Sequence, residues 1–473
     1  MQKKTANRLL LVNPPSTVYA HSKIKVGITY IPQISLASLA AMAERDGHTA
    51  RILDLCVCDN PIKEFKETLK IYQPTTLGIT VMTPNFNNAS GLARLAKEVV
   101  PDILTIAGGA HPSVLPEETV SKGKFDVAVI SEGEETMAQL LEQDKCLSSI
   151  HGIAFRADDG AVKRNPDRAY INDLDSLPMP AWHLFDLSRY KASRLTSRKP
   201  PVGAIETSRG CPHACIYCSK DIFSRKVRYK SVNRVLLEIE HAKHSGFREL
   251  HVWDDHFATN IKRGKEICQS IIEKGIQMSL NMFSGMRVDN VDYELFHLLK
   301  QAGCYCVALA PETGNQKLLD AINKGITLDD CRRAFGFAKR AGLETTAFFM
   351  IALPGETPKT IEETIKFAIE LSPDYAKVSF ATPLPGTELF RMLQADNRIK
   401  TYDWSKYAFH DVSEVYEHPT MSWADLEHYY DTFYNRFYLR PGYILKRLIG
   451  GISNGRVIYD IYYALKTWFR NRK

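Results

Sequence analysis

Over the first 145 residues, short apolar runs alternate with stretches whose apolar positions fall three and four apart. The runs at residues 8–12, 49–53, 77–81, 103–107 and 126–130 read as strands, and 34–43 and 89–99 as helices. Short buried strands separated by amphipathic helices predict a doubly wound parallel α/β sheet. Ligands of such sheets bind beyond the carboxyl ends of the strands. Asn13-Pro14-Pro15, Thr83, Gly108-Gly109-Ala110-His111-Pro112 and Glu132-Gly133-Glu134 stand at those ends.

The rhythm changes at residues 149–200. Residues 153–156 and 161–163 flank Asp158-Asp159-Gly160, a hairpin signal. The proline-rich stretch Leu177-Pro178-Met179-Pro180 then reads as an extended connector. This places a domain junction between residues 148 and 201. Alternation resumes over 201–390, with strands expected at 202–206, 250–253, 279–283, 305–309, 345–350 and 377–380. Six β/α units in this length predict a partial (β/α)6 barrel rather than the eight-unit form. Residues 391–473 read as mainly helical, ending in a basic amphipathic tail.

The composition is that of a soluble globular protein: 473 residues, 44% hydrophobic and 24% charged. No stretch approaches the ~18 apolar residues of a membrane span. The apolar run at 9–12 stops at Pro14-Pro15, too short for a signal peptide. Ten cysteines are therefore expected in a reducing cytoplasm, where clustered thiols indicate metal or catalysis. The net charge of +7 is concentrated in the tail, where residues 436–473 carry nine Lys or Arg against the single acid Asp460. The rest of the chain is nearly neutral, so no nucleic-acid partner is expected.

The sharpest chemical signal is Arg209-Gly210-Cys211-Pro212-His213-Ala214-Cys215-Ile216-Tyr217-Cys218, just after the first strand of the second unit. Three thiolates spaced C-x3-C-x2-C in one loop suit a cubane iron–sulfur cluster that keeps one iron open. The alternatives are a zinc site and ordinary buried thiols. Zinc wants a fourth ligand nearby, and His213 is poorly placed to close a tetrahedron with its immediate neighbours. Cys56, Cys58, Cys146, Cys268, Cys304, Cys306 and Cys331 read chiefly as buried thiols rather than a second cluster.

This loop resembles the signature of radical S-adenosylmethionine enzymes, and residues 8 to about 390 resemble the branch with an N-terminal cobalamin-binding domain. Further segments carry the likeness: Glu132-Gly133-Glu134-Glu135, Trp253-Asp254-Asp255-His256-Phe257, Gly285-Met286-Arg287-Val288-Asp289, Pro311-Glu312-Thr313-Gly314-Asn315, Leu353-Pro354-Gly355-Glu356-Thr357 and Pro383-Leu384-Pro385-Gly386-Thr387. The resemblance implies a Rossmann-like cobalamin domain followed by a radical S-adenosylmethionine barrel. It implies that Cys211, Cys215 and Cys218 hold a [4Fe–4S] cluster, with Tyr217 beside it, and that the open iron chelates S-adenosylmethionine. Asp254, Asp255, Arg287 and Glu312, at strand ends, are then expected to meet its ribose, ammonium or carboxylate. Gly355 and Glu356 are expected to shape a turn beside the adenosyl group. The chain departs from the family at Ala308-Leu309-Ala310-Pro311, where a glycine-rich strand is commoner.

For cobalamin the resemblance implies contacts from Gly78, Thr80, Thr83, Gly108, Gly109 and Glu132. Residues 1–150 contain no D-x-H-x-x-G, so cobalamin is expected base-off without a protein histidine on cobalt; a module that keeps the fold and binds nothing is the other reading. His111 either packs under the corrin or caps a helix.

The function implied is a methyltransferase acting on an unactivated carbon or phosphorus through a 5′-deoxyadenosyl radical and methylcobalamin. Oxidative ring closure of a tetrapyrrole without methyl transfer is the alternative, and a cobalamin carrier or sensor a more distant one. The expected partners are a small, hydrophobic substrate such as a lipid or tetrapyrrole, and an external flavodoxin- or ferredoxin-like electron donor. In the tail, apolar residues from Tyr443 to Phe469 are interleaved with basic ones. They either dock on the barrel or lie on the inner face of a membrane. Gly450-Gly451 and Asn454-Gly455 are expected to split the tail into two short helices.

Overall fold

A computed structural model describes residues 6–15, 29–142, 146–194 and 196–454. The first sheet contains β1 (Arg8–Asn13), β2 (Thr49–Asp54), β3 (Thr76–Thr80), β4 (Leu104–Gly108), β5 (Val127–Val129), β6 (Ile153–Arg156) and β7 (Val162–Arg164). Their order is β2-β1-β3-β4-β5-β6-β7, with the first five parallel. Leu9, Leu10, Leu11 and Val12 of β1 are all enclosed, as expected of a parallel strand covered on both faces. The chain reverses its direction of travel across the sheet between β1 and β3, opening a crevice at the carboxyl ends there. The 153–164 hairpin differs from its expected place in the connector. β6 pairs antiparallel with β5, and β7 with β6, so the hairpin extends the first sheet. Its turn chemistry was readable from sequence, but its edge partner was not.

The second sheet is built from β8 (Val202–Ile205), β11 (Glu249–Val252), β12 (Ser279–Met286), β13 (Cys304–Glu312), β14 (Glu344–Ile351) and β15 (Tyr375–Phe380). All pair in parallel, in the order β15-β14-β13-β12-β11-β8, so the expected partial barrel is present. Between β8 and β11 two short strands, β9 (Ser208–Arg209) and β10 (Arg228–Tyr229), pair antiparallel and close the base of the cysteine loop. The helices start where side chains cap them. Ser231 accepts from the Arg234 N–H at the start of Val232–His244, and Thr357 from the Thr360 N–H before Pro358–Leu371.

The C-terminal region contains helices Glu388–Ala395, Trp423–Tyr438 and Pro441–Asn454. Between the first two, an irregular stretch crosses to the first domain. There the Trp404 indole donates to Glu118 (2.7 Å), and Asp403 accepts from the Asn87 amide (3.1 Å). Helix Trp423–Tyr438 runs along the free edge of β15. The Tyr438 hydroxyl accepts from the Ala376 N–H (3.0 Å) and donates to the Ala376 carbonyl (2.7 Å), while Tyr434 accepts from the Val378 N–H (3.1 Å). An open edge with unpaired backbone groups is thereby closed by side chains.

Helix Pro441–Asn454 runs through Gly450 and Gly451 instead of breaking there. One face docks: the Tyr443 hydroxyl donates to the Asp374 carbonyl, Lys446 pairs with the Asp374 carboxylate, and Arg447 donates to the Tyr375 hydroxyl. Ile444, Leu445 and Ile449 stay exposed. The part of the tail from residue 455 lies outside the described residues. Among the described residues no helix is long and apolar enough to cross a membrane.

Tyr438→Phe leaves both edge groups of Ala376 without their partner. The expected loss is about 1–3 kcal/mol, read as a lower denaturant midpoint at unchanged slope. An unchanged midpoint would show that the hydroxyl does not hold the edge.

Candidate active site

The cysteine loop leaves β8 through a tightly packed turn. Gly210 has φ +92°, and a Cβ there would stand 2.5 Å from the Lys226 carbonyl oxygen and 2.9 Å from that of Phe223. The Gly210 N–H donates to Asp255 (3.0 Å), and the Cys211 N–H donates to the Ser224 carbonyl. Further along, the Ile216 N–H donates to the Ile322 carbonyl, and the Ile216 carbonyl accepts from Leu389. Cys211 is buried, Cys215 half-buried and Cys218 exposed. The Lys220 ammonium donates to Cys218 (3.1 Å). Among the described residues no three His, Cys, Asp or Glu side chains converge as they would around one ion. A cubane takes each thiolate on a different iron, and it brings net negative charge. Three thiols on one braced loop, with Lys220 against them, fit that group.

Arg287, at the end of β12, is buried. It donates twice to Asp289 (3.0 and 2.8 Å) and once to the Gly325 carbonyl, which leaves Nη1 without a partner. The Cys215 and Cys211 thiols lie close enough to favour its charge. His256, buried beside His213 with ring centroids 5.8 Å apart, has neither ring nitrogen bonded. Burial pushes its pKa down to about 3, so its ring is neutral.

Other expected contacts turn inward. Both Asp254 oxygens are taken at 2.6 Å by the Thr207 N–H and hydroxyl and the Ser208 hydroxyl, so this carboxylate braces the strand before the loop and does not face the barrel mouth. Glu312 has φ +63° and accepts from the Tyr217 hydroxyl (2.8 Å) and the Lys324 ammonium (2.5 Å) on one oxygen. Lys324 thus supplies the ammonium expected from a ligand, and no spacing in the sequence announced it. Glu356 is fully enclosed and accepts from the Ala352 and Leu353 N–H groups across the Gly355 turn (φ +82°). Burial lifts its pKa to about 8, which makes it a turn-closing carboxylic acid.

In the first domain, the Gly108 position opens on empty space, whereas a Cβ at Gly109 (φ +112°) would stand 2.9 Å from the Val81 carbonyl oxygen. Thr80 lies next to this turn, half-buried. Gly78 differs from expectation, since a Cβ there would meet Leu11 at 2.8 Å and its missing side chain serves strand packing. His111 neither faces a crevice nor caps a helix. It lies enclosed between Phe86 and Trp404, with centroids at 4.5 and 5.6 Å and Nδ1 3.3 Å from the Thr83 hydroxyl. Burial pushes its pKa down to about 4.

Glu132 is likewise not open to a ligand. It accepts from Arg209 (2.8 Å), from Arg228 (2.8 Å) and from the Ile171 N–H (2.8 Å). Arg209 also donates to Glu134 (2.6 Å) and Glu206 (2.7 Å), all within the buried interior. Burial would raise Glu134, but Arg209 holds it below the usual carboxylate range; at Glu206 burial wins and the pKa is raised. This ion cluster joins the carboxyl end of β5 to the residue two before Cys211. Arg209, Arg228, Glu134 and Glu206 were not singled out from sequence as its members. The pair Arg209 and Glu132 lies 77 residues apart in the chain.

Residues 205–368 match the family model of the radical SAM superfamily, and residues 27–141 that of the B12 binding domain. An uncharacterised methyltransferase of Pyrococcus horikoshii is 33% identical, with 96% of this chain and 99% of that protein aligned. The anaerobic magnesium-protoporphyrin IX monomethyl ester cyclase of Rubrivivax gelatinosus is 29% identical over 87% of this chain and 75% of its own length. The fold is shared with the radical S-adenosylmethionine methyltransferase TsrM of Kitasatospora setae, solved with cobalamin and a [4Fe–4S] cluster. That likeness has a TM-score of 0.67 at 20% identity, covering 83% of this chain and 75% of the other.

Arg209→Met strands two buried carboxylates, Glu134 and Glu206, and leaves Glu132 to Arg228. The expected cost is about 3–5 kcal/mol of stability, with the cysteine loop loosened and less iron retained on reconstitution. Retention of native stability and iron would show that the cluster of charges does not hold the loop. Glu356→Gln tests the raised carboxyl. Since the folded pKa exceeds the unfolded one, native stability is full below about pH 4.5 and falls as pH rises toward 8. The variant should match the native chain near pH 4.5 and exceed it by roughly 3–5 kcal/mol at pH 8. Parallel stability profiles would contradict the burial argument.

Proposed function

The chain belongs to the cobalamin-binding family of radical S-adenosylmethionine enzymes, and from that membership we propose that it methylates an unactivated carbon or phosphorus centre. One observation carries the reading. The Arg209 ion cluster fixes the cysteine loop of the barrel to the strand-end turn Glu132-Gly133-Glu134 of the cobalamin domain, so the two cofactor sites share one boundary. When bound, the [4Fe–4S] cluster supplies the electron that cleaves S-adenosylmethionine to a 5′-deoxyadenosyl radical, and cobalamin carries the methyl group.

The chain's own residues do the rest. Cys211, Cys215 and Cys218 would hold the cluster, and the exposed Cys218 side would leave an edge for an external electron donor. The unpartnered Arg287 Nη1, beside the thiols, is the donor for the carboxylate of S-adenosylmethionine. Asp255 acts on the loop backbone. Gly108 leaves room at the sheet end for cobalamin, with Thr80 next to it. His111 is enclosed by Phe86 and Trp404, so its ring would not reach a bound cobalamin. A hydrophobic substrate such as a tetrapyrrole suits the family, and Ile444, Leu445 and Ile449 offer apolar surface for peripheral membrane contact.

The test is anaerobic reconstitution with iron, sulfide and cobalamin, then reduction with titanium(III) citrate and mass analysis of the S-adenosylmethionine products. Methyl transfer gives both S-adenosylhomocysteine and 5′-deoxyadenosine. The cyclase chemistry named for the Rubrivivax relative gives 5′-deoxyadenosine alone and would overturn the methyltransferase reading. Cys211→Ala, Cys215→Ala and Cys218→Ala should each lose bound iron and 5′-deoxyadenosine. Full iron in all three would remove the cluster from this loop.

A further inference from the structure

On β15, Ala376, Val378 and Phe380 are buried while Lys377 alternates to the other face, toward the barrel interior. It stands directly across from Phe348 of β14. Its ammonium lies 5.1 Å from the centroid of Phe283 on β12 and 5.8 Å from that of Phe348. Phe283 is backed by His251, stacked at 5.2 Å, whose Nε2 is held by Glu249. These rings fix two walls around the ammonium.

The lysine has no carboxylate partner among the described residues, either as an ion pair or as a hydrogen bond. The titratable groups near it are the Cys306 thiol, whose pKa burial raises, and His410 from the crossing stretch, whose pKa burial lowers. Surrounding protein lowers its pKa, yet solvent reaches the side chain from within the lumen. The space is kept open by Gly285 (φ +87°), where a Cβ would press on the Phe348 ring at 3.0 Å.

An inward-pointing lysine is a common guard on an edge strand. Here that role is already filled, because Tyr434 and Tyr438 satisfy the backbone of the same edge. A cation without an acid of its own, beside two aromatic rings and accessible to solvent, is left to a ligand.

We propose that Lys377 is the centre of an oxyanion site in the barrel lumen, which seats a carboxylate or phosphate on an otherwise apolar substrate. As a statement about substrate this rests on the methyltransferase reading. The rings of Phe283 and Phe348 take the apolar body, and the lysine, without an acid of its own, takes the charge.

Binding of 3-phenylpropionate, phenyl phosphate and the neutral 3-phenylpropanamide, measured by calorimetry on the full chain, tests this without turnover. The native protein should bind at least one of the anions tenfold or more tighter than the amide. Lys377→Met should lose that preference and Lys377→Arg should keep it. The stronger of the two anions assigns carboxylate or phosphate. No preference in the native protein, or a preference that survives in Lys377→Met, overturns the proposal. Iron and cobalamin are assayed in the same samples. Failure to load either counts against the methyltransferase reading, whereas normal loading without anion preference counts against Lys377 alone.

Discussion

Arg209 is the point through which the two halves of the molecule are held in register. Its guanidinium is buried and meets three carboxylates, two from the turn after β5 and one from the end of β8. Taking so many charges out of water is expensive, and Coulomb attraction repays it only when every donor is met. Such a cluster adds little net stability over an apolar contact, but it tolerates few geometries. An apolar interface would let the cobalamin domain slide over the barrel; four charged hydrogen bonds from Arg209 and Arg228 to Glu132 and Glu134 set one orientation. Because Gly210 and Cys211 follow at once, that orientation is passed directly to the first cysteine of the loop.

The same logic explains why so many strand-end carboxylates are occupied. Asp254 holds Thr207 and Ser208, the residues just before Arg209. Asp255 holds Gly210. Glu312 anchors Tyr217 from inside the loop, with Lys324 balancing its charge. A loop bearing three thiolates is short of regular backbone pairing, so side chains from four strand ends replace it. Positive φ at the non-glycine Glu312 fits this account, since strained backbone persists where its surroundings over-determine it.

Much of the architecture was legible because period and strand length are local properties. All six barrel strands and the five parallel strands of the first sheet fell where apolar runs placed them, within a few residues. The cysteine spacing was legible for the same reason. What spacing does not carry is the direction of a partner. Glu132 and Asp254 sit at ligand-facing ends of strands, and only the folded chain shows Arg209, Arg228 and Thr207 filling their oxygens first. Gly78 illustrates a second limit: a glycine near a strand end serves backbone approach to a ligand or side-chain packing, and Leu11 decides for packing. The hairpin at 153–164 shows a third, because an edge strand's partner is set by what the rest of the sheet leaves open.

The distribution of unmatched charge follows from these assignments. The acids near the loop are largely committed, Glu132, Glu134 and Glu206 to Arg209, and Glu312 to Lys324. The cations nearest the thiols are not matched in the same way. Lys220 leans on Cys218, and Arg287 keeps one N–H free after satisfying Asp289. Deeper in the lumen Lys377 faces only rings, a thiol and a histidine. Carboxylates neutralised within the scaffold and cations left over in the cavity make the interior electropositive. That field favours an anionic cluster at the loop and the carboxylate of S-adenosylmethionine beside it. In the proposed reading, the same field draws a substrate's anionic group to Lys377, with its apolar body against Phe283 and Phe348.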